Sequence, residues 1–139
     1  LRLSELTLND GYRDRALTGL KRVAGRIAEN PAYTPELLIA LDLAHARPLE
    51  IVVVHRGDAS LAAPLTHVLN RRFLPHATRL VLSETDAAPG GALAERVPWV
   101  SGKLARVSTG TAYVCQRGVC QAPVDTAEGL VAQLVALGR

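Results

Sequence analysis

Ile51-Val52-Val53-Val54 is an unbroken run of β-branched residues, and it constrains the fold of this chain more than any other stretch. A strand with one wet face alternates apolar and polar residues, so a strand that does not alternate is covered on both faces. The chain therefore needs a sheet with a layer on each side. Leu61, Leu65, Val68, Leu69 and Phe73 recur at helical spacing over 61–73, with Pro64 near the start, where a helix tolerates it. After Pro75, Arg79-Leu80-Val81-Leu82 supplies a second strand. Strand, helix and strand of these lengths predict a right-handed parallel βαβ connection.

Both cysteines lie further along, in the stretch from Tyr113 to Val124. Two apolar runs flank Arg117-Gly118, and a two-residue loop in which glycine supplies a positive φ is a hairpin signal. Counting outward pairs Gln116 with Val119, then Cys115 with Cys120, then Tyr113 with Ala122 on the same face. The cysteine pair is of the non-hydrogen-bonded kind, with Cα atoms roughly 4.5 Å apart, near the short end of the ~4.4 to 6.8 Å that a disulfide accepts. Three readings stay open: two reduced thiols in the core, a structural disulfide, or a redox couple. The four-residue spacing is neither a C-x-x-C motif nor half of a zinc knuckle, which needs two more ligands.

The remaining elements follow from spacing and punctuation. Leu1 to Leu8 reads as the end of a helix, stopped by Asn9-Asp10-Gly11. Ala16, Leu17, Leu20, Val23, Ala24 and Ile27 line one face of a helix over 11–29. Thr34 as N-cap, Pro35 and Glu36 open another over 35–46, with Leu37, Leu38, Leu41 and Ala44 inward. The two form an αα-hairpin that needs a further layer to bury its apolar face. Arg47-Pro48 breaks the helix and marks a boundary, giving domains 1–48 and 49–139. Ala92 to Val97 reads as a short helix, and Trp99 as an anchor between layers. Asp125-Thr126-Ala127-Glu128 resembles a capping box before a last helix whose Leu130, Val131, Leu134 and Leu137 pack inward.

With 139 residues and 48% hydrophobic content, the chain supports one sizeable core or a small domain with an appendage. The net charge of +3 does not point to an anionic partner, because Arg13, Arg15, Lys21, Arg22 and Arg26 alternate with Asp10, Asp14 and Glu29 as on a solvated helix face. With 4% aromatics there is no base-stacking platform, so no nucleic acid is expected. No apolar stretch reaches the roughly 20 residues of a membrane-spanning helix. Two cysteines do not make a disulfide scaffold; the compartment stays open, with a lean to the cytoplasm. The chain starts at Leu1 and contains no methionine, so it reads as a piece whose natural N-terminus lies upstream.

No complete catalytic constellation is present. His55, Arg56 and Asp58 follow the carboxyl end of the first strand, where open α/β sheets bind ligands, and form a candidate ligand loop; the plainer reading is a surface loop with Asp58 or Ser60 capping the next helix. His45, His55, His67 and His76 lack metal-ligand spacing, and neither a phosphate loop nor a nucleophile elbow occurs, so no metal or cofactor is implied.

Ala112-Tyr113-Val114-Cys115, four residues, then Cys120-Gln121-Ala122-Pro123-Val124 resembles the C-terminal signature of the large thioredoxin domain-containing proteins of the spermatogenesis-associated protein 20 family. The stretches 35–44, 50–54 and 71–75 resemble the same family in the same order. The resemblance implies an upstream thioredoxin-like domain bearing C-x-x-C and a helical toroid similar to sugar epimerases and six-hairpin glycosidases, of which residues 1–48 would be the last turn. From residue 49 the expected order β, α, β, α, β, β, α is that of a small thioredoxin-like layered domain with a mixed sheet. The thioredoxin centre is not expected in it: His55-Arg56-Gly57-Asp58 stands where C-x-x-C would be, and Gly110-Thr111 where a cis-proline would be.

Three functional expectations result. The first is a non-catalytic accessory domain that docks on the upstream domains of its own polypeptide. The second is a thiol–disulfide role through Cys115 and Cys120, and the third is ligand binding at the loop of His55, Arg56 and Asp58. Oligomeric state is not legible.

Overall fold

Ile51-Val52-Val53-Val54 lies in the second of four strands in a mixed sheet. In the computed structural model, which describes residues 1–138, the strand order is β2-β1-β3-β4, with β1 at Leu49–His55, β2 at Ala77–Ser83, β3 at Thr111–Gln116 and β4 at Val119–Cys120. Arg139, the end of the expected second domain, lies outside the described residues. β1 pairs parallel with β2 and antiparallel with β3, so it is central and every one of its seven residues is buried. Burying a large aliphatic side chain contributes about 1.5–3 kcal/mol, which makes Ile51 to Val54 the main anchor of the sheet.

Period two divides this strand between two cores. Leu49, Ile51 and Val53 join Ala112 and Val114 against α4 (Ala63–Asn70) and α6 (Ala127–Ala136), through Leu65, Leu69, Leu130 and Leu134. Val52 and Val54 face Trp99, Val100 and Ala105, the short α5 (Ala92–Arg96) and Leu6 of α1 (Arg2–Thr7). The expected α/β class with helices on both faces of a mixed sheet is thus the one adopted. Trp99 is buried in the second core, as an interlayer anchor should be.

The helix expected over 61–73 is shorter. It begins as a 3₁₀ turn at Ala59–Ala62, continues with Pro64 in the first turn of α4, and stops at Asn70. Leu74 precedes Pro75, and a residue before proline is pushed out of the helical region. Phe73, expected to pack inward, is therefore 90% exposed, and Leu61 is exposed as well.

The hairpin also departs from the simple count. Arg117 and Gly118 both have positive φ, 51° and 77°, and Gln116 pairs with Val119 and Cys115 with Cys120 as expected. Beyond that the register slips: Ala112 pairs with Val124, with bonds of 2.8 and 3.0 Å in both directions. Pro123 carries no N–H to continue the ladder, so one residue is passed over and Tyr113 has no partner at Ala122. The slip turns Val124 toward Ala112 and the first core.

At the N-terminus α2 spans Asp10–Glu29 and α3 Pro35–His45, separated by a 3₁₀ turn at Pro31–Tyr33. Of the residues expected to face inward only Ile27 is buried; Leu43 is the buried residue of α3, while Leu38 and Leu41 are exposed. Thr34 does not cap α3 with its side chain; its hydroxyl donates back to the Asn30 carbonyl at 3.3 Å. Polar ties hold this part to the rest: His76 Nε2 meets Asp42 Oδ2 at 2.5 Å, and Arg2 donates to the carbonyls of Pro75 and Ala77; within the part, Arg13 of α2 donates to Ala44 O of α3 at 2.8 Å.

Candidate functional site

Cys115 and Cys120 are bonded, with 2.07 Å between sulfurs and 3.8 Å between Cα atoms. The Cα separation is shorter than the register alone implies. The two residues differ in access: Cys115 is buried, whereas Cys120 on the edge strand is exposed together with Val119. A nucleophile from solvent therefore meets Cys120 Sγ, and Cys115 is the sulfur that would leave.

Directly opposite Cys115 on β1 stands Glu50, a residue the sequence reading did not single out. Its side chain is fully buried. Oε2 accepts the backbone N–H of Gly118 at 2.8 Å, which ties the central strand to the turn between the cysteines. Oε1 has no hydrogen-bond partner among the described residues. Desolvation raises the Glu50 carboxyl above its ordinary value; the Glu5 carboxylate adds to the rise, while the N–H groups of Gly118 and Arg117 and the Lys103 ammonium oppose it. Burial also holds Lys103 below its ordinary value; its Nζ donates to Trp99 O and lies 5.5 Å from the Tyr113 ring centroid. The one available signal for Glu50 was its place at the head of an unbroken apolar run: a strand one turn of the pleat longer than Ile51 to Val54 carries an acid into the core.

The residues of the expected ligand loop make hydrogen bonds within the chain. Arg56 makes a two-pronged pair with Glu84, at 2.9 and 3.0 Å, and donates to Ala105 O. That hydrogen bond is the main cause of the lowered Glu84 carboxyl, which also accepts Ala105 N–H at 2.9 Å. Asp58 Oδ1 accepts Ser60 N–H at 2.9 Å and is lowered by it, in the manner of a helix cap. His55 Nδ1 lies 3.0 Å from Gly57 O. These three residues and the cysteine pair sit at opposite ends of β1, so they do not form one site. Among the described residues no cluster of three or more His, Cys, Asp or Glu has the geometry of a metal site, and no helix is long and apolar enough to cross a membrane.

At the start of β3, Thr111 Oγ1 accepts Arg106 N–H at 2.7 Å and donates to Asp125 Oδ1 at 2.7 Å. This buried hydroxyl joins the loop after Ala105 to the start of α6, which Thr126 caps by accepting Gly129 N–H at 3.1 Å. The reciprocal half of a capping box is missing, since Gly129 rather than an acid occupies the third helical position.

No family model matches this chain, and no solved structure matches it. Spermatogenesis-associated protein 20 of Homo sapiens is 25% identical to it over 124 residues. The family resemblance carried by Cys115, Cys120 and the stretches before them therefore holds across 89% of this chain, which is similar to spermatogenesis-associated protein 20 and spans 15% of that protein's length.

Proposed function

We propose that this chain is a non-catalytic accessory segment of a larger polypeptide, in which residues 49–139 form a layered α/β body and residues 1–48 dock on helices upstream. The observation that carries the reading is the unburied apolar surface of α2 and α3. Leu17, Leu20, Ala24, Leu41 and Ala44 line an open groove of about 520 Å³, and Leu37, Ile39 and Val23 line a second on the other side of the helix pair. Apolar patches of this extent on a polar-rimmed surface mark places where something else packs. The occupant proposed is the remainder of the same polypeptide, because the matched relative is several times longer and matches over only 15% of its length. Hydrogen exchange tests it: α2 and α3 amides are protected in the intact longer polypeptide and exchange faster in residues 1–139 alone. Equal exchange in both contexts, or a natural polypeptide with nothing beyond this segment, overturns it.

A second reading, thiol–disulfide exchange, is favoured by the unequal access of the two bonded sulfurs. Acid trapping of cellular thiols followed by mass spectrometry of the 113–124 region tests it. A pair that changes state when cells meet an oxidant or reductant supports exchange; a pair that stays bonded throughout leaves it a staple.

A further inference from the structure

A bond with one exposed and one buried sulfur sets a chemical problem at the buried side. When an external thiolate attacks Cys120, the Cys115 sulfur leaves as an anion in a site closed to water, and an anion without a hydrogen-bond donor or counter-charge is costly there. We propose that Glu50 is the acid–base group of the couple, giving its proton to Cys115 Sγ as the bond opens and taking it back as the bond closes. The proposal rests on the exchange reading above.

Placement carries it. Glu50 and Cys115 are register partners on β1 and β3, on the face shared with Val52 and Tyr113. Directly opposed residues of an antiparallel pair have Cβ atoms roughly 4.5–5.5 Å apart, within reach of a Glu carboxyl and a Cys thiol. One carboxyl oxygen is committed to Gly118 N–H in the turn that links the cysteines; the other is buried with no partner among the described residues. An unsatisfied buried oxygen costs ~1–3 kcal/mol, and a proton on that oxygen that finds an acceptor relieves it. The raised carboxyl supports the same assignment, since it keeps the proton to higher pH than an exposed Glu does. The charged and titratable groups around it are Glu5 on α1, Asp10 and Arg13 on α2, Lys103 after the Pro98–Val100 turn, Tyr113 on β3 and Arg117 in the hairpin turn.

The exchange balances as follows. A dithiol reductant loses a proton to solvent, its thiolate bonds to Cys120 Sγ, and the electron pair of the broken bond stays on Cys115 Sγ, which takes the Glu50 proton. The second thiol of the reductant, deprotonated by solvent, displaces Cys120 as thiolate and leaves as a cyclic disulfide. Cys120 and Glu50 then regain protons from water, so the protein gains two electrons and two protons.

The test is the pH profile of reduction by dithiothreitol, read by alkylation and mass spectrometry of the Cys115–Cys120 region and divided by the concentration of reductant thiolate. The wild-type value falls by roughly tenfold or more as pH rises through the Glu50 titration. Glu50→Gln is slow and flat over the same range, while Glu5→Gln keeps the fall. A flat wild-type profile overturns the proposal without any variant, so a Glu50→Gln protein that fails to fold does not protect it. A fall that survives unchanged in folded Glu50→Gln also overturns it. If the bond in the folded wild-type protein is not reduced at any pH, the exchange reading itself fails and takes this assignment with it, an outcome distinct from reduction that ignores Glu50.

Discussion

Gly110 is held where a side chain has no room: its φ is 86°, and a Cβ built on it comes 3.0 Å from Val54 O. Gly110→Ala combines left-handed strain with a backbone contact that the central strand cannot relieve, and about 1–3 kcal/mol of lost stability is expected in a denaturant titration. Glu50 makes the matching case for charge. Its folded carboxyl is raised above 4.5, so the folded state binds the proton more tightly than the unfolded chain. That contribution is fully present below the unfolded value and lost as pH rises through the folded one. Stability should thus decline with rising pH above about 4.5, and Glu50→Gln should flatten that limb. Glu84 and Asp58 are lowered, as is Asp86, whose carboxylate accepts the Ser83 hydroxyl and N–H, and all three act on the opposite limb, where stability falls as pH drops below their ordinary values. The cysteine partners were legible because a two-residue turn sets their register by counting. Glu50 was not, because its burial depends on a strand end that propensity does not locate.

At the scale of elements, caps and prolines decide the boundaries. Thr126 satisfies a free N–H of α6, whereas Thr34 bonds back to Asn30. Thr126→Ala should cost about 1 kcal/mol and Thr34→Ala less than about 0.5 kcal/mol, a contrast that thermal melts of the two variants measure. Thr34 was the expected cap of α3, while the expected capping box puts the cap of α6 at Asp125 rather than at Thr126; which hydroxyl turns to its helix depends on the backbone entering it. Thr34 enters from a 3₁₀ turn with φ −132° and ψ 45°, Thr126 from an extended residue. The hairpin slip has a similar origin. Pro123 has no N–H with which to continue the ladder, a signal that counting outward from the turn passed over, and the pull of Val124 into the core set where the strand rejoined.

For the whole molecule, burial separates the two parts. Leu65→Ala empties a site between α4 and the sheet and should cost about 2–5 kcal/mol. Leu41→Ala, on a half-open groove, should cost less than about 1 kcal/mol in residues 1–139 and approach the Leu65 value in the longer polypeptide if the groove is filled there. Denaturation of both variants in both contexts measures the difference. The order of strands and helices, the covered central strand and the facing of the two cysteines across the turn were determined by the sequence, because period, β-branching and turn residues act over a few neighbours; that the cysteines are bonded was not. Only the tertiary structure decided that Glu50 stands opposite Cys115, that Arg56 is paired with Glu84, and which apolar residues of α2 and α3 stay uncovered. Those facts depend on which surfaces meet, and the energy of a surface belongs to both partners, whereas a sequence pattern describes only one.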